Sequence, residues 1–397
     1  MTEGFGKVYY NHRTRPGRPS FNEISVGKGY DGIEVTNRVW DIIPKVDVIA
    51  FPDIGDGDLQ HYLRGQGHAV WGSGYGDELE MFRYYSKKVL ESVGLPVNPY
   101  KLVVGVTALR EELKKHDDRF VKVSFLRGLW ESRHHETYWI SKQHLDRLEY
   151  KLGPLAETTE FIVENPIKTK LEVGFDGMFV NGGFLPVAIN GVEVKDECYL
   201  GVVQEYADMA EEFRTVNEAL TPVLANYGYA NFFSTELRVK RDPFLIDPCC
   251  RQGSPSGEAQ LAIWKNLPQI VFEGAHGRAI TPEHESQFVA QAMLYNRGDE
   301  NEWCAVGIPK EHRDKVSLYF GMRDGDHDWV VPQSDPFDEI GSIVCTGDDE
   351  DAVIEECREI GKLLKGDISV KIDAFGEAQK QFDIMRKQGI SVEPIPA

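Results

Sequence analysis

The chain has 397 residues, 41% of them hydrophobic, and its 44 Lys and Arg against 64 Asp and Glu give a formal charge of −20. That length holds two or three packed domains, and so acidic a chain repels phosphate backbones and anionic lipid, which argues against broad binding to nucleic acid or to a membrane surface. No apolar run approaches the roughly 20 residues that span a bilayer, the first ten residues lack the apolar stretch of a signal peptide, and the six cysteines form no C-x-x-C pair, so a cytoplasmic protein with reduced thiols is expected.

Up to about residue 45 the sequence is polar and turn-rich, as short strands and loops at a domain edge would be. An apolar run over 46–51, a helical pattern on Leu59, Tyr62 and Leu63, and a second run over 68–71 predict one βαβ unit. The loop inside it, Pro52-Asp53-Ile54-Gly55-Asp56-Gly57-Asp58, lacks the third glycine of a dinucleotide fingerprint, and its aspartates would repel a pyrophosphate. Asp53 and Asp56 either orient a cationic substrate or cap the helix. An amphipathic helix is predicted over 78–93 on Leu79, Phe82, Val89 and Leu90, ending at Gly94-Leu95-Pro96. Strand 100–106, helix 108–115 and strand 120–124 follow, then a polar segment with Trp130, Tyr138 and Trp139 that either stacks a base or packs on a neighbouring strand. Strands are expected at 160–163 and 170–173, a helix over 206–227 with a break at Pro222, a hairpin of 231–240 with 243–247, and a helix over 258–265. A strand at 340–346 and a helix at 350–364 close the chain with an α+β signature, and the segments divide as 1–99, 100–268 and 269–397.

The chemistry concentrates on the hairpin. Glu236 and Asp247 fall on adjacent antiparallel strands, where two facing carboxylates either bridge Mg²⁺ through hard oxygen ligands or form an acidic pair turned to solvent. The run Asp247-Pro248-Cys249-Cys250-Arg251-Gln252-Gly253-Ser254-Pro255 resembles the ATP-grasp superfamily, whose metal-binding strand reads acid-x-Asn-x-Arg, and within it the glycinamide ribonucleotide synthetase family. Glu160-Phe161-Ile162-Val163-Glu164-Asn165-Pro166 looks like the strand whose main chain reads the adenine edge, and Lys122 and Arg83 look like the two cations that grip phosphates. Lys122 is alternatively an edge-strand lysine facing water, and Arg83 stands where the family has lysine, keeping the charge and adding a planar fork.

The resemblance covers roughly residues 46–365. It implies an α/β and α+β chain of ATP-grasp fold, with an N-terminal βαβ domain and a C-terminal α+β domain. It further implies an ATP-dependent ligase that joins a small-molecule carboxylate to an amine through an acylphosphate, with ATP and Mg²⁺ as cofactors. Glu236 and Asp247 would hold the metal. Arg83, Lys122, Arg127, Glu160, Phe161, Val163 and Lys168 would bind ATP, Arg251 and Lys195 would act on the reacting groups, and a homodimer is left open.

Three departures qualify this. After Lys122 the expected glycine-rich hairpin is Ser124-Phe125-Leu126-Arg127-Gly128-Leu129-Trp130-Glu131, with one glycine, so Arg127 either replaces main-chain amides at a phosphate or lies on the surface. Cys249 stands in place of asparagine, and a thiol suits Mg²⁺ poorly; it reads better as a packed thiol than as a nucleophile. Residues 191–201 lack the family's glycine richness, which argues against phosphoribosylamine and glycine as substrates, and Lys195 there either grips an anion or lies exposed. A catalytically degenerate ATP-grasp-like protein is the alternative reading, and a peptide or modified nucleobase is a further candidate acceptor. His134-His135-Glu136 lacks the second histidine of a zinc-protease motif, and no G-x-S-x-G or P-loop pattern occurs.

Overall fold

The structure, a computed structural model, describes residues 4–11, 25–124, 132–169, 171–299, 302–332 and 339–395. Strand β1 (Val8–Tyr10) pairs in parallel with β2 (Ile33–Val35), and a single turn, α1 (Val39–Ile42), leads into the expected βαβ unit. There β3 (Ile49–Ala50) and β4 (Val70–Trp71) run parallel across α2 (Gly57–Gly65), which buries Leu63 against Ile43 and Val70. The helix expected over 78–93 is two helices, α3 (Glu78–Met81) and α4 (Arg83–Ser92), because Phe82 leaves the helical region at φ −107°, ψ 89°. The break separates Glu80 from Arg83, which a straight helix would stack one turn apart. The stop at Gly94 is as expected, with φ +81° and the Leu95 N–H closing back on the Leu90 carbonyl at 3.0 Å.

A small α/β unit follows: β5 (Tyr100–Val104), α5 (Val106–Leu113), β6 (Arg119–Val123), β7 (Ser132–His135), α6 (Tyr138–Leu152) and β8 (Glu160–Glu164). Its sheet has the order β5-β8-β6-β7 with every pairing antiparallel. Val103, Val121, Val123, Phe161 and Val163 form one face and pack on Leu109 and Leu113 of α5 and on Leu145 and Leu148 of α6. Strand alternation sends Lys122, Ile162 and Glu164 to the opposite face. The segment read as polar is a helix from Tyr138 onward: Tyr138 and Trp139 open α6, where Trp139 is 86% exposed, and Trp130 lies outside the described residues.

The rest of the chain builds one large sheet of order β14-β13-β9-β11-β12-β15-β20-β17. In chain order it comprises β9 (Glu172–Val180), β10 (Gly183–Phe184, beside β9), β11 (Val187–Val194), β12 (Cys198–Glu205), α7 (Glu211–Asn226), β13 (Asn231–Val239) and β14 (Pro243–Cys249). Helices α8 (Ser256–Ile263) and α9 (Leu267–Ala275) precede β15 (Phe288–Asn296). A three-stranded flap of β16 (Cys304–Val306), β18 (Gly321–Asp324) and β19 (His327–Val330) brackets β17 (Val316–Leu318). The chain then runs through β20 (Glu339–Gly347), α10 (Glu350–Leu363), β21 (Ile368–Val370, beside β15) and α11 (Phe375–Lys387). Phe175, Phe179, Phe213, Phe233 and Phe382 fill one face of the sheet under α7, α10 and α11, and Val180, Ile189, Tyr199 and Val203 fill the other under α8 and α9. Helix α7 continues through Pro222, so the expected break is absent there. Gly191 and Gly201 pair across β11 and β12 to make room for the Tyr199 ring; a Cβ on Gly191 would lie 2.0 Å from the Tyr199 hydroxyl oxygen.

Candidate active site

The β13–β14 hairpin forms as expected, and its register sets Glu236 directly opposite Asp247. Around Asp247 the three structural units meet. Arg83 of α4, its side chain 5% exposed, forms an ion pair with the Asp247 carboxylate through Nη1. Lys122 of β6 donates through Nζ to the carbonyl of Ile246, one residue away. Burial pushes the Asp247 carboxyl up, but Arg83, Lys122 and Lys195 outweigh it and hold the group below its ordinary value.

Glu236 behaves in the opposite way. Burial, a hydrogen bond with Glu172, and the charges of Glu172, Glu193 and Asp247 push it well above the ordinary carboxyl range. Burial also raises Glu172, yet that hydrogen bond and the Arg238 guanidinium, whose Nε lies 2.8 Å away, bring it below its ordinary value. The two carboxyls titrate as a coupled pair, and their surroundings favour the shared proton on Glu236 over Glu172. Lys195, from the turn after β11, is lowered by burial, but Asp196, Glu193, Glu236 and Asp247 together raise it, so it belongs to the same electrostatic cluster. Carboxylates this crowded, all of them hard oxygen donors, fit a divalent cation such as Mg²⁺. Among the described residues no three His, Cys, Asp or Glu side chains form a metal cage, so the two facing carboxylates would share the ion with other oxygens. Cys249 sits opposite Ser234; its thiol is pushed far up by burial and points at the Arg251 carbonyl at 3.7 Å, a packed neutral thiol.

Arg251 is held from the N-terminal unit. Its Nε donates to Glu80 Oε1 at 3.0 Å while Glu80 Oε2 accepts the Cys250 N–H at 2.8 Å, and Asp53 Oδ1 stands 3.6 Å from the same Nε. Asp53 thus faces the site. Asp56 occupies the position before α2, but the carboxylate that caps this turn is Asp77, accepting from Gly55 N at 2.9 Å and Gly57 N at 3.1 Å.

Comparison with known proteins places this architecture. No protein-family model matches the sequence and no curated protein sequence matches it. Among solved structures, phosphoribosylamine–glycine ligase from Thermotoga maritima is similar with a TM-score of 0.59 and 15% identity over 75% of this chain and 79% of that one. The biotin carboxylase domain of 2-oxoglutarate carboxylase from Hydrogenobacter thermophilus gives 0.62 and 11% over 90% and 86%, and N5-carboxyaminoimidazole ribonucleotide synthetase from Thermotoga maritima gives 0.55 and 15% over 83% and 84%. These neighbours are ATP-grasp enzymes.

The chain has the ATP-grasp fold.

In this ATP-grasp chain the junction of the small and large sheets with the N-terminal unit gathers Arg83, Lys122, Lys195, Glu236, Asp247 and Arg251 from five separate segments. The adenine-strand expectation needs correction. β8 is an interior strand, with Phe161 and Val163 paired to β5 on one side and β6 on the other, so the ladder takes up their main-chain groups and their side chains enter the core under α5 and α6. Glu160 lies at the opposite end of β8 from Glu164, and Lys168 is exposed on the connection to β9. Arg127 lies outside the described residues.

Two charged residues at the junction escape a reading by motif. Lys87 and Glu164 form an ion pair at 2.7 Å, their side chains 7% and 6% exposed, beside Lys122 and Asp247. The signals were present in the sequence: Lys87 is one helical turn beyond Arg83, and Glu164 alternates with Ile162 on the face of β8 that carries Lys122 on β6.

Proposed function

We propose that the protein is an ATP-dependent ligase that joins a small-molecule carboxylate to an amine. The observation that carries this reading is the facing Glu236–Asp247 pair, ringed by Arg83, Lys122 and Lys195 at the junction of the three units. Solved structures of the same fold include a biotin carboxylase captured with an ATP analogue and a carboxylase domain captured with ADP and Mg²⁺, which supports the cofactor assignment.

On this reading Arg83 and Lys122 grip the phosphate chain, and the segment following Glu164, rather than Phe161 and Val163, offers main-chain groups to the base. Mg²⁺ held by Glu236 and Asp247 would supply charge neutralisation at the phosphates. Lys195 and Arg251 orient the acid so that one carboxylate oxygen attacks the γ-phosphorus and ADP leaves. The amine then adds to the acylphosphate carbon, loses a proton and expels inorganic phosphate, leaving an amide. Little covalent work falls to the protein, whose contribution is positioning and field. The boundaries near 99 and 268, and cytoplasmic operation with six unpaired cysteines, belong to the same proposal.

The test is ADP release from Mg-ATP against a panel of paired acids and amines. Acid- and amine-dependent release is expected, falling at least a hundredfold in Asp247→Asn, an order of magnitude typical of losing charge stabilisation in the transition state. Release that is indifferent to Asp247→Asn would contradict the assignment, and nucleotide binding without release under any pairing would favour the degenerate alternative.

A further inference from the structure

The roles assigned above leave Lys87 unexplained, and the inference that follows rests on that nucleotide reading. Lys87 lies on α4 one turn beyond Arg83, on the side facing β8 and β14, with its side chain 7% exposed. An ammonium carries three N–H donors, and among the described residues the partner of Lys87 is Glu164. Arg83, Lys87 and Lys122 thus lie together, with Arg83 paired to Asp247, Lys87 to Glu164 and Lys122 to the Ile246 carbonyl. Burial and the nearby Lys122 work against the charge on Lys87, while Glu164 and Asp247 support it. Fastening α4 to β8 does not call for an ion pair here, since apolar residues of similar volume serve a buried contact at least as well. A third buried cation beside the two assigned to the phosphate chain suits a polyanion better than a structural clasp.

We infer that Lys87 is a third phosphate-contacting cation of the nucleotide site, and that Glu164 competes with the phosphate chain for it. The two members of this ion pair then act in opposite directions on polyphosphate binding. A clasp between α4 and β8 would make them act alike, because losing either partner loosens the same contact.

Titration calorimetry of the full chain with inorganic tripolyphosphate, and separately with adenosine, tests this on the wild type, Lys87→Met and Glu164→Gln. Lys87→Met is expected to lower the affinity for tripolyphosphate relative to adenosine by about tenfold or more, the scale of one charge-assisted hydrogen bond. Glu164→Gln keeps the volume, frees the ammonium and is expected to raise that ratio severalfold. Should Lys87→Met fail to fold, Glu164→Gln alone decides, since only competition predicts tighter binding. Equal weakening by both variants, or no change in either, would overturn the inference while leaving the nucleotide reading in place. A wild-type protein that binds neither tripolyphosphate nor an ATP analogue would overturn both.

Discussion

Glu236 sets the acid–base character of the junction. Its folded value lies above the ordinary 4.5, whereas in the unfolded chain it titrates near that value. Between the two, the native state holds a proton that the unfolded state releases, so stability falls as pH rises through this window, by up to about 1.4 kcal/mol per unit. Glu236→Gln replaces the shared proton with a permanent amide donor to Glu172. It is therefore expected to stabilise the protein by about 1–2 kcal/mol at pH 8, with the gain fading toward pH 4.5. Thermal unfolding in metal-free buffer at the two pH values measures it, and a variant less stable than wild type at pH 8 would contradict the shared proton. The hairpin carrying Glu236 and Asp247 was legible from its two apolar strands and tight turn, but the turn's own register would set Glu236 opposite Ile246, and a bulge between Glu236 and Leu237 is what brings Asp247 there. The Glu172 partnership was not legible, because it depends on β9 lying beside β13 rather than on spacing along the chain.

At the scale of elements, periodicity located the βαβ unit, three of the four strands of the small sheet and the β13–β14 hairpin, while β7 and α6 fell in a stretch read as a polar segment. It missed the break at Phe82, since an amphipathic pattern continues through a kink whose cause is tertiary: Glu80 is drawn to Arg251 and Arg83 to Asp247. It also placed a break at Pro222 where α7 runs on. Pro222 is exposed and lacks the N–H that would reach the Glu218 carbonyl, so packing of Phe213, Val216, Leu220 and Leu224 carries the helix past it. Pro222→Ala restores that donor at the cost of a freer unfolded chain. A net gain of about 1–2 kcal/mol is expected in denaturant unfolding. A loss would mean that the proline geometry itself is required by the α7 contacts. The interior position of β8 was equally hidden, because a short apolar run such as Phe161-Ile162-Val163 reads the same whether one or both of its edges are paired.

For the whole molecule, the informative feature is where unlike pieces converge. The N-terminal unit supplies Asp53, Glu80, Arg83 and Lys87, the small sheet supplies Lys122 and Glu164, and the large sheet supplies Lys195, Glu236, Asp247 and Arg251. A chain with a formal charge of −20 thereby brings five cations to one junction, matched there by as many carboxylates. No described helix is long and apolar enough to cross a membrane. The acid and the amine were not legible in the sequence, because the groups around Arg251 come together only after folding, with Glu80 and Asp53 reaching it from the N-terminal unit. Nucleotide binding through Mg²⁺ at this junction is tested by calorimetry of the purified protein with a non-hydrolysable ATP analogue, with and without Mg²⁺. Saturable binding that strengthens on adding Mg²⁺ is the predicted result; absence of binding under both conditions would contradict it.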